Sequence, residues 1–230
     1  LKANDTIPIS LRNQLLVQGA GIVLDPVHGH ILGMIGGRQE DIYLDHFNRA
    51  TQAKRQPGSV FKPFIYLTAL EQGYTTTTEL LNQPLIVFID DTTQWNPQNH
   101  DGSTGLLTTL REGLRRSLNL ISVRVVQELV EPKDIVQNAK DFGLTTFIRS
   151  VDAIALGVSE VYPLEITAAY ATIANNGIYS QPLAITRIED RHGRVIKEFV
   201  PDSREVQDEA IIYILRDMMR SVAVSYTHLR

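Results

Sequence analysis

The chain has 230 residues, 43% hydrophobic and 21% charged, with a net charge of −4. That is the profile of a soluble globular protein of one large or two small domains, and it speaks against a nucleic-acid binder. There is no cysteine, which excludes disulfides, thiolate catalysis and cysteine-based zinc sites.

Residues 1–14 are mostly polar and read as a linker or interdomain segment. Residues 15–24 read as a strand, Asp25-Pro26-Val27-His28-Gly29 as a turn, and residues 31–35 as the returning strand of a hairpin. Residues 38–58 read as an irregular connection. A helix is expected from Ser59 to about Gln72, with Gly73 as its stop. Pro63 falls near its first turn, where N–H groups lack helical partners anyway. Residues 74–105, rich in Thr, Asn, Asp and Gly, read as a long loop region.

From Leu106 a helical period returns, with Leu107, Leu110 and Leu114 on one face, and a second helix follows through Ile121, Val125 and Leu129. Pro132 opens another that stops near Gly143, and Pro163 opens one that ends at Asn175-Asn176-Gly177. Ala168, Ala169 and Ala171 would let that last helix pack closely. Residues 184–200 read as a hairpin turned at Asp190-Arg191-His192-Gly193, and residues 207–222 as a final helix. Helices dominate, with strand pairs near both ends: an α+β arrangement.

The stretch Arg55 to Phe64 sets Ser59 and Lys62 three residues apart at a helix start. Positions i and i+3 share a helix face, so an amine can take a proton from the hydroxyl and activate it without histidine. The string itself is cheap: 11 Ser and 6 Lys give about 0.3 matches by chance. A capping serine followed by a solvated first-turn lysine is the other reading, although a lysine there opposes the helix dipole. Ser117-Leu118-Asn119 lies at a helix junction, where hydroxyl and carboxamide can face one cleft, or simply cap a helix.

Taken in order, these motifs resemble the active-site-serine penicillin-recognising enzymes. The likeness is nearest to the transpeptidase domain of the bifunctional (class A) penicillin-binding proteins. Gly36-Gly37-Arg38, Phe47-Asn48-Arg49-Ala50, Tyr66-Leu67-Thr68-Ala69-Leu70, Trp95-Asn96-Pro97-Gln98-Asn99, Ala155-Leu156-Gly157 and Pro163-Leu164-Glu165 also follow the family order. So do Ala169-Tyr170-Ala171 and Ala174-Asn175-Asn176-Gly177.

The resemblance implies a penicillin-binding protein/β-lactamase-like fold over residues 15–222, an antiparallel sheet with helices. It implies a D,D-transpeptidase that cross-links peptidoglycan stem peptides ending in D-Ala-D-Ala, and that β-lactams trap on Ser59. Lys62 would be the base, Ser117 would relay a proton to the leaving nitrogen, Asn119 would hold the substrate amide, and the Ser59 N–H would serve the oxyanion. No cofactor, metal or nucleic acid is implied. An upstream glycosyltransferase domain and membrane helix are expected, with the domain on the extracytoplasmic face of a bacterial membrane. The other activities of this fold are a serine β-lactamase or DD-carboxypeptidase, and a non-catalytic penicillin-sensing domain.

One family motif is absent: no Lys here is followed by Thr-Gly or Ser-Gly. Its strand normally supplies a second oxyanion donor and grips the substrate carboxylate. Residues 223–230 do not resemble the family. The sequence therefore reads as C-terminally truncated, with a tail of doubtful origin and an incomplete sheet exposing unpaired edges. This exact chain is expected to be poorly stable and catalytically inactive. Elsewhere, His28-Gly29-His30 reads as solvated turn residues with no carboxylate beside them, and Asp90-Asp91 as a polar loop.

Overall fold

The computed structural model describes residues 17–38, 47–88 and 94–227. The expected linker, the start of the first strand, Asp90-Asp91 and the last three residues lie outside these. The first hairpin joins β1 (Gly21–Leu24) to β2 (Ile31–Ile35), with Gly21 opposite Ile35. The expected central helix is α1 (Lys62–Glu71), entered through a 3-10 turn at Gly58–Phe61. Pro63 sits in its first turn, and Gly73 beyond its end takes φ +91.

Every residue of α1 from Lys62 to Leu70 is buried. A helix apolar on all sides belongs inside a core, and α1 is enclosed by later helices. These are α2 (Leu110–Arg115), α3 (Asn119–Arg124, prolonged by a π-helical stretch Val125–Leu129), α4 (Pro132–Asp141) and α6 (Glu209–Thr227), while α5 (Pro163–Ala174) packs on β1 and α6. Phe64 meets Phe142 edge-on with centroids 5.7 Å apart. Thr68, buried in the middle of α1, donates to the Phe64 carbonyl and accepts from Asn138 of α4 at 2.9 Å, which removes the cost of an unpaired hydroxyl. Gly113 lets α2 close on its neighbours, since a Cβ there would lie 2.5 Å from Ile121 Cγ2 and 2.8 Å from the Tyr66 hydroxyl.

The strands form two-stranded antiparallel pairs. Besides β1–β2, these are β3 (Glu79–Leu81) with β6 (Leu107–Thr109), β4 (Val87–Phe88) with β5 (Gln94–Trp95), β7 (Ile178–Ser180) with β10 (Ser203–Glu205), and β8 (Arg187–Glu189) with β9 (Val195–Glu198). Among the described residues β1–β2 gains only an isolated bridge, His30 to Leu183, and Val23, Leu32 and Ile35 stay exposed.

Three expectations are corrected. Residues 74–105 are not one loop, because three short strands cross them. Leu107 belongs to β6 and is exposed rather than on a helix face. The helix begins one turn later, where Thr109 caps α2 by accepting the Glu112 N–H at 3.2 Å. The histidine turn does hold a carboxylate: Asp25 Oδ2 lies 2.7 Å from His28 Nδ1.

Candidate active site

Ser59 sits one residue into the 3-10 turn, whose shape depends on two glycines. Gly58 takes φ +56 and donates its N–H to the Gly157 carbonyl at 3.2 Å. Gly157 is left-handed too, at φ +64, and a Cβ there would lie 2.2 Å from the Gly58 oxygen. Only bare backbone allows this approach. The Tyr170 hydroxyl donates to the Val60 carbonyl at 2.8 Å and holds the turn from the side of α5.

Lys62 is 1% exposed. Its amine donates to the Ser117 carbonyl at 2.6 Å, the Ser117 hydroxyl at 3.0 Å and Asn119 Oδ1 at 2.8 Å. Three donors meet three acceptors, so the buried ammonium is fully hydrogen-bonded. Burial lowers its pKa from 10.5 to about 8. At neutral pH about one amine in ten is then uncharged, against about one in two thousand for a free lysine.

Ser117 joins α2 to α3 with φ +54, a conformation uncommon outside glycine. The turn is closed by the Ser117 N–H on the Leu114 carbonyl and the Leu118 N–H on the Gly113 carbonyl. Asn119 opens α3. Its Oδ1 faces Lys62, while its Nδ2 donates to the Gln98 carbonyl at 2.8 Å. One donor and one acceptor of the carboxamide remain for a ligand.

Loop 95–99, one of the stretches in family order, orients this group. Asn99, 6% exposed, donates to Asn82 Oδ1 at 2.8 Å and to the Ser103 carbonyl at 2.7 Å. It also accepts the Leu120 N–H at 3.0 Å, at the start of α3.

These groups open onto a cleft of about 750 Å³ lined by Ser59, His100, Asp101, Arg116, Ser117 and Asn119, with Ser225 of α6. Arg116 pairs with Asp101 at 2.8 Å. Hydrogen bonds from Ser103, and then Arg116, hold the Asp101 carboxyl at about 2. Lys62, Ser117 and Asn119 thus form one hydrogen-bonded unit. Ser59 is exposed on the same cleft, and its hydroxyl is bonded to none of the three.

A serine at a helix entrance, a buried lysine one turn on and a Ser-x-Asn turn thus share one cleft, the order of motifs that resembles the penicillin-recognising proteins. The chain belongs to the penicillin binding protein transpeptidase domain family, whose sequence model matches residues 19–228. It is 39% identical over 195 residues to penicillin-binding protein 1A of Pseudomonas aeruginosa, covering 84% of this chain and 23% of that protein. It is 33% identical over 219 residues to penicillin-binding protein 2D of Bacillus subtilis, covering 94% and 31%. The crystal structure of penicillin-binding protein 1A from Haemophilus influenzae matches with a TM-score of 0.81 at 26% identity, covering 89% of this chain and 35% of that one. The chain is thus similar to the transpeptidase domain of class A penicillin-binding proteins, and spans about a third or less of each of these relatives.

Proposed function

We propose that Ser59 is the nucleophile of a peptidoglycan D,D-transpeptidase. The observation that carries this reading is the Lys62 amine: buried, lowered to about 8, and bonded to both Ser117 and Asn119 beneath the cleft that exposes Ser59. In the neutral form Lys62 has a free lone pair. It takes the Ser59 proton as the Ser59 oxygen attacks the carbonyl of the penultimate D-Ala. The backbone N–H of Ser59, in the first turn of its helix, faces no helical partner of its own and serves the developing oxyanion. Ser117 Oγ, 3.0 Å from Lys62, passes the proton to the departing D-Ala nitrogen. An amine from a second stem peptide then takes the acyl group and frees Ser59. Asn119 offers its remaining donor and acceptor to the substrate amide.

The reaction belongs on the extracytoplasmic face of a bacterial membrane, where the stem peptides are. The likeness to class A proteins supports this. Among the described residues no helix is long and apolar enough to cross a membrane.

No lysine of this chain is followed by Thr-Gly or Ser-Gly. Lack of one oxyanion donor costs ~2.7–4 kcal/mol of barrier, or ~10²–10³ in rate. We therefore expect this chain by itself to show no detectable cross-linking and to take up a β-lactam only slowly. Fluorescent penicillin tests the reading. We expect slow labelling that is absent from Ser59→Ala and persists after the free drug is removed. Release of hydrolysed drug would instead indicate a β-lactamase or carboxypeptidase.

A further inference from the structure

The turn between β1 and β2 carries chemistry that the transpeptidase cleft does not use. Asp25, His28 and His30 each offer one ligand atom, and these atoms all lie within 4.8 Å of one another. The two imidazoles stack with centroids 5.4 Å apart and planes 20° apart. Asp25 Oδ1 accepts the Val27 N–H at 2.9 Å, so Oδ2 is left to face His28.

The backbone beneath is fixed. The Asp25 N–H donates to the His30 carbonyl and the Gly29 N–H to the Asp25 carbonyl, both at 2.9 Å. Gly29 takes φ +70 and lies so close to segment 180–183 that a Cβ would come within 2.6 Å of the Gln181 oxygen. The Leu183 N–H donates to the Gly29 carbonyl, and Ser180 Oγ donates to the Val27 carbonyl at 3.0 Å. His28 is 64% exposed at its side chain, so the cluster is open to solvent on one side.

We propose that this turn is a binding site for a divalent cation of the Zn²⁺ class, held by the Asp25 carboxylate and one ring nitrogen each of His28 and His30, with water completing the shell. Two imidazoles and one carboxylate form a donor set suited to zinc, copper or nickel. Calcium and magnesium take oxygen ligands. Tetrahedral zinc with bonds of ~2.0–2.1 Å needs its ligand atoms ~3.3 Å apart. Ligand atoms that lie within 4.8 Å of one another would have to draw in to that separation as the ion binds. The ion takes the place of the His28 Nδ1–Asp25 Oδ2 contact. It ties the hairpin turn into one rigid knot, remote in sequence from Ser59 and Lys62. Because only the folded turn gathers the three ligands, the ion stabilises the fold by mass action.

The test titrates chelator-stripped protein with ZnCl₂ against a chromophoric zinc indicator. The parent chain is compared with His28→Asn, His30→Gln, their double variant, Asp25→Asn and a control, His192→Asn. We expect one equivalent bound at micromolar Zn²⁺ and a melting temperature that climbs with Zn²⁺. Affinity falls at least tenfold in each single variant, is lost in the double variant and is unchanged in the control. Excess Ca²⁺ does not compete. His28 is exposed, so His28→Asn keeps the test valid even if His30→Gln unfolds the hairpin. Unchanged stoichiometry in the double variant overturns the proposal, as does the absence of saturable binding below millimolar Zn²⁺. In imidazole NMR spectra, movement of His192 rather than His28 and His30 would do the same.

Discussion

Taken by itself, Lys62 should make this protein more stable as the pH rises. The folded amine releases its proton near pH 8, whereas an ordinary lysine holds it to 10.5. Between those values the unfolded chain binds more protons than the folded one, so the unfolding free energy rises with pH. The slope approaches ~1.4 kcal/mol per pH unit and the whole step amounts to ~3 kcal/mol. Below pH 8 both states are protonated and the cost of the buried ammonium is fully present, offset by its bonds to Ser117 and Asn119. At high pH buried phenols act in the other direction. Burial pushes Tyr170 up to about 12 and Tyr66 higher still, so the unfolded state loses those protons first. Urea unfolding of the chain and of Lys62→Met, from about pH 7 to about pH 10, cancels the tyrosine contribution. The stability difference should move in favour of the lysine form by ~2–3 kcal/mol across that range. A difference that stays flat would show that Lys62 titrates as an ordinary lysine, and the argument for a poised base would fail.

Ser117→Gly relieves a left-handed non-glycine but adds unfolded-state freedom and takes one acceptor from the buried Lys62 ammonium, so its urea stability should fall by no more than ~2 kcal/mol. Its β-lactam acylation should nonetheless fall ~10²-fold or more, because the hydroxyl relay is gone. Gly157→Ala drives a methyl into the Gly58 carbonyl at positive φ and should cost more than ~2 kcal/mol in the same assay. Asn99→Ala strips partners from Asn82, Ser103 and the Leu120 N–H, and should cost ~2–3 kcal/mol. Parent-like melting of Asn99→Ala would mean that loop 95–99 does not anchor α3.

Local signals found the elements whose cues are local. Pro57-Gly58 and Gly73 bracket the Ser59 helix, Pro132 and Pro163 open α4 and α5, and Gly143 ends the former at φ +94. The β6–α2 junction misled because Leu107, Leu110 and Leu114 keep a helical spacing across a strand-to-helix boundary. The capping pair Thr109 and Glu112 marked that boundary. Strands β3 and β7 are three residues long and pair with partners over twenty residues away, too short for alternation to show. The site was legible only in parts. Spacing could bring Ser59 near Lys62, but the meeting of Lys62 with Ser117 and Asn119 is tertiary, and family resemblance alone pointed to it. Resemblance marked Trp95 to Asn99 as a family stretch; its hydrogen bonds to Asn119 and Leu120 came from the fold. Asp25 was read as a turn former, and its side-chain bond to His28 was missed because turn residues were weighed singly.

The most direct test of the central claim is peptide-mapped mass spectrometry of the chain during prolonged incubation with benzylpenicillin. The account predicts one covalent adduct, on the peptide holding Ser59, accumulating slowly and ~tenfold faster near pH 9 than near pH 7 as Lys62 becomes neutral. It predicts no adduct in Ser59→Ala. An adduct on another residue, one undiminished in Ser59→Ala, or none at any time would contradict the assignment. Rapid stoichiometric labelling would contradict the single-donor oxyanion site.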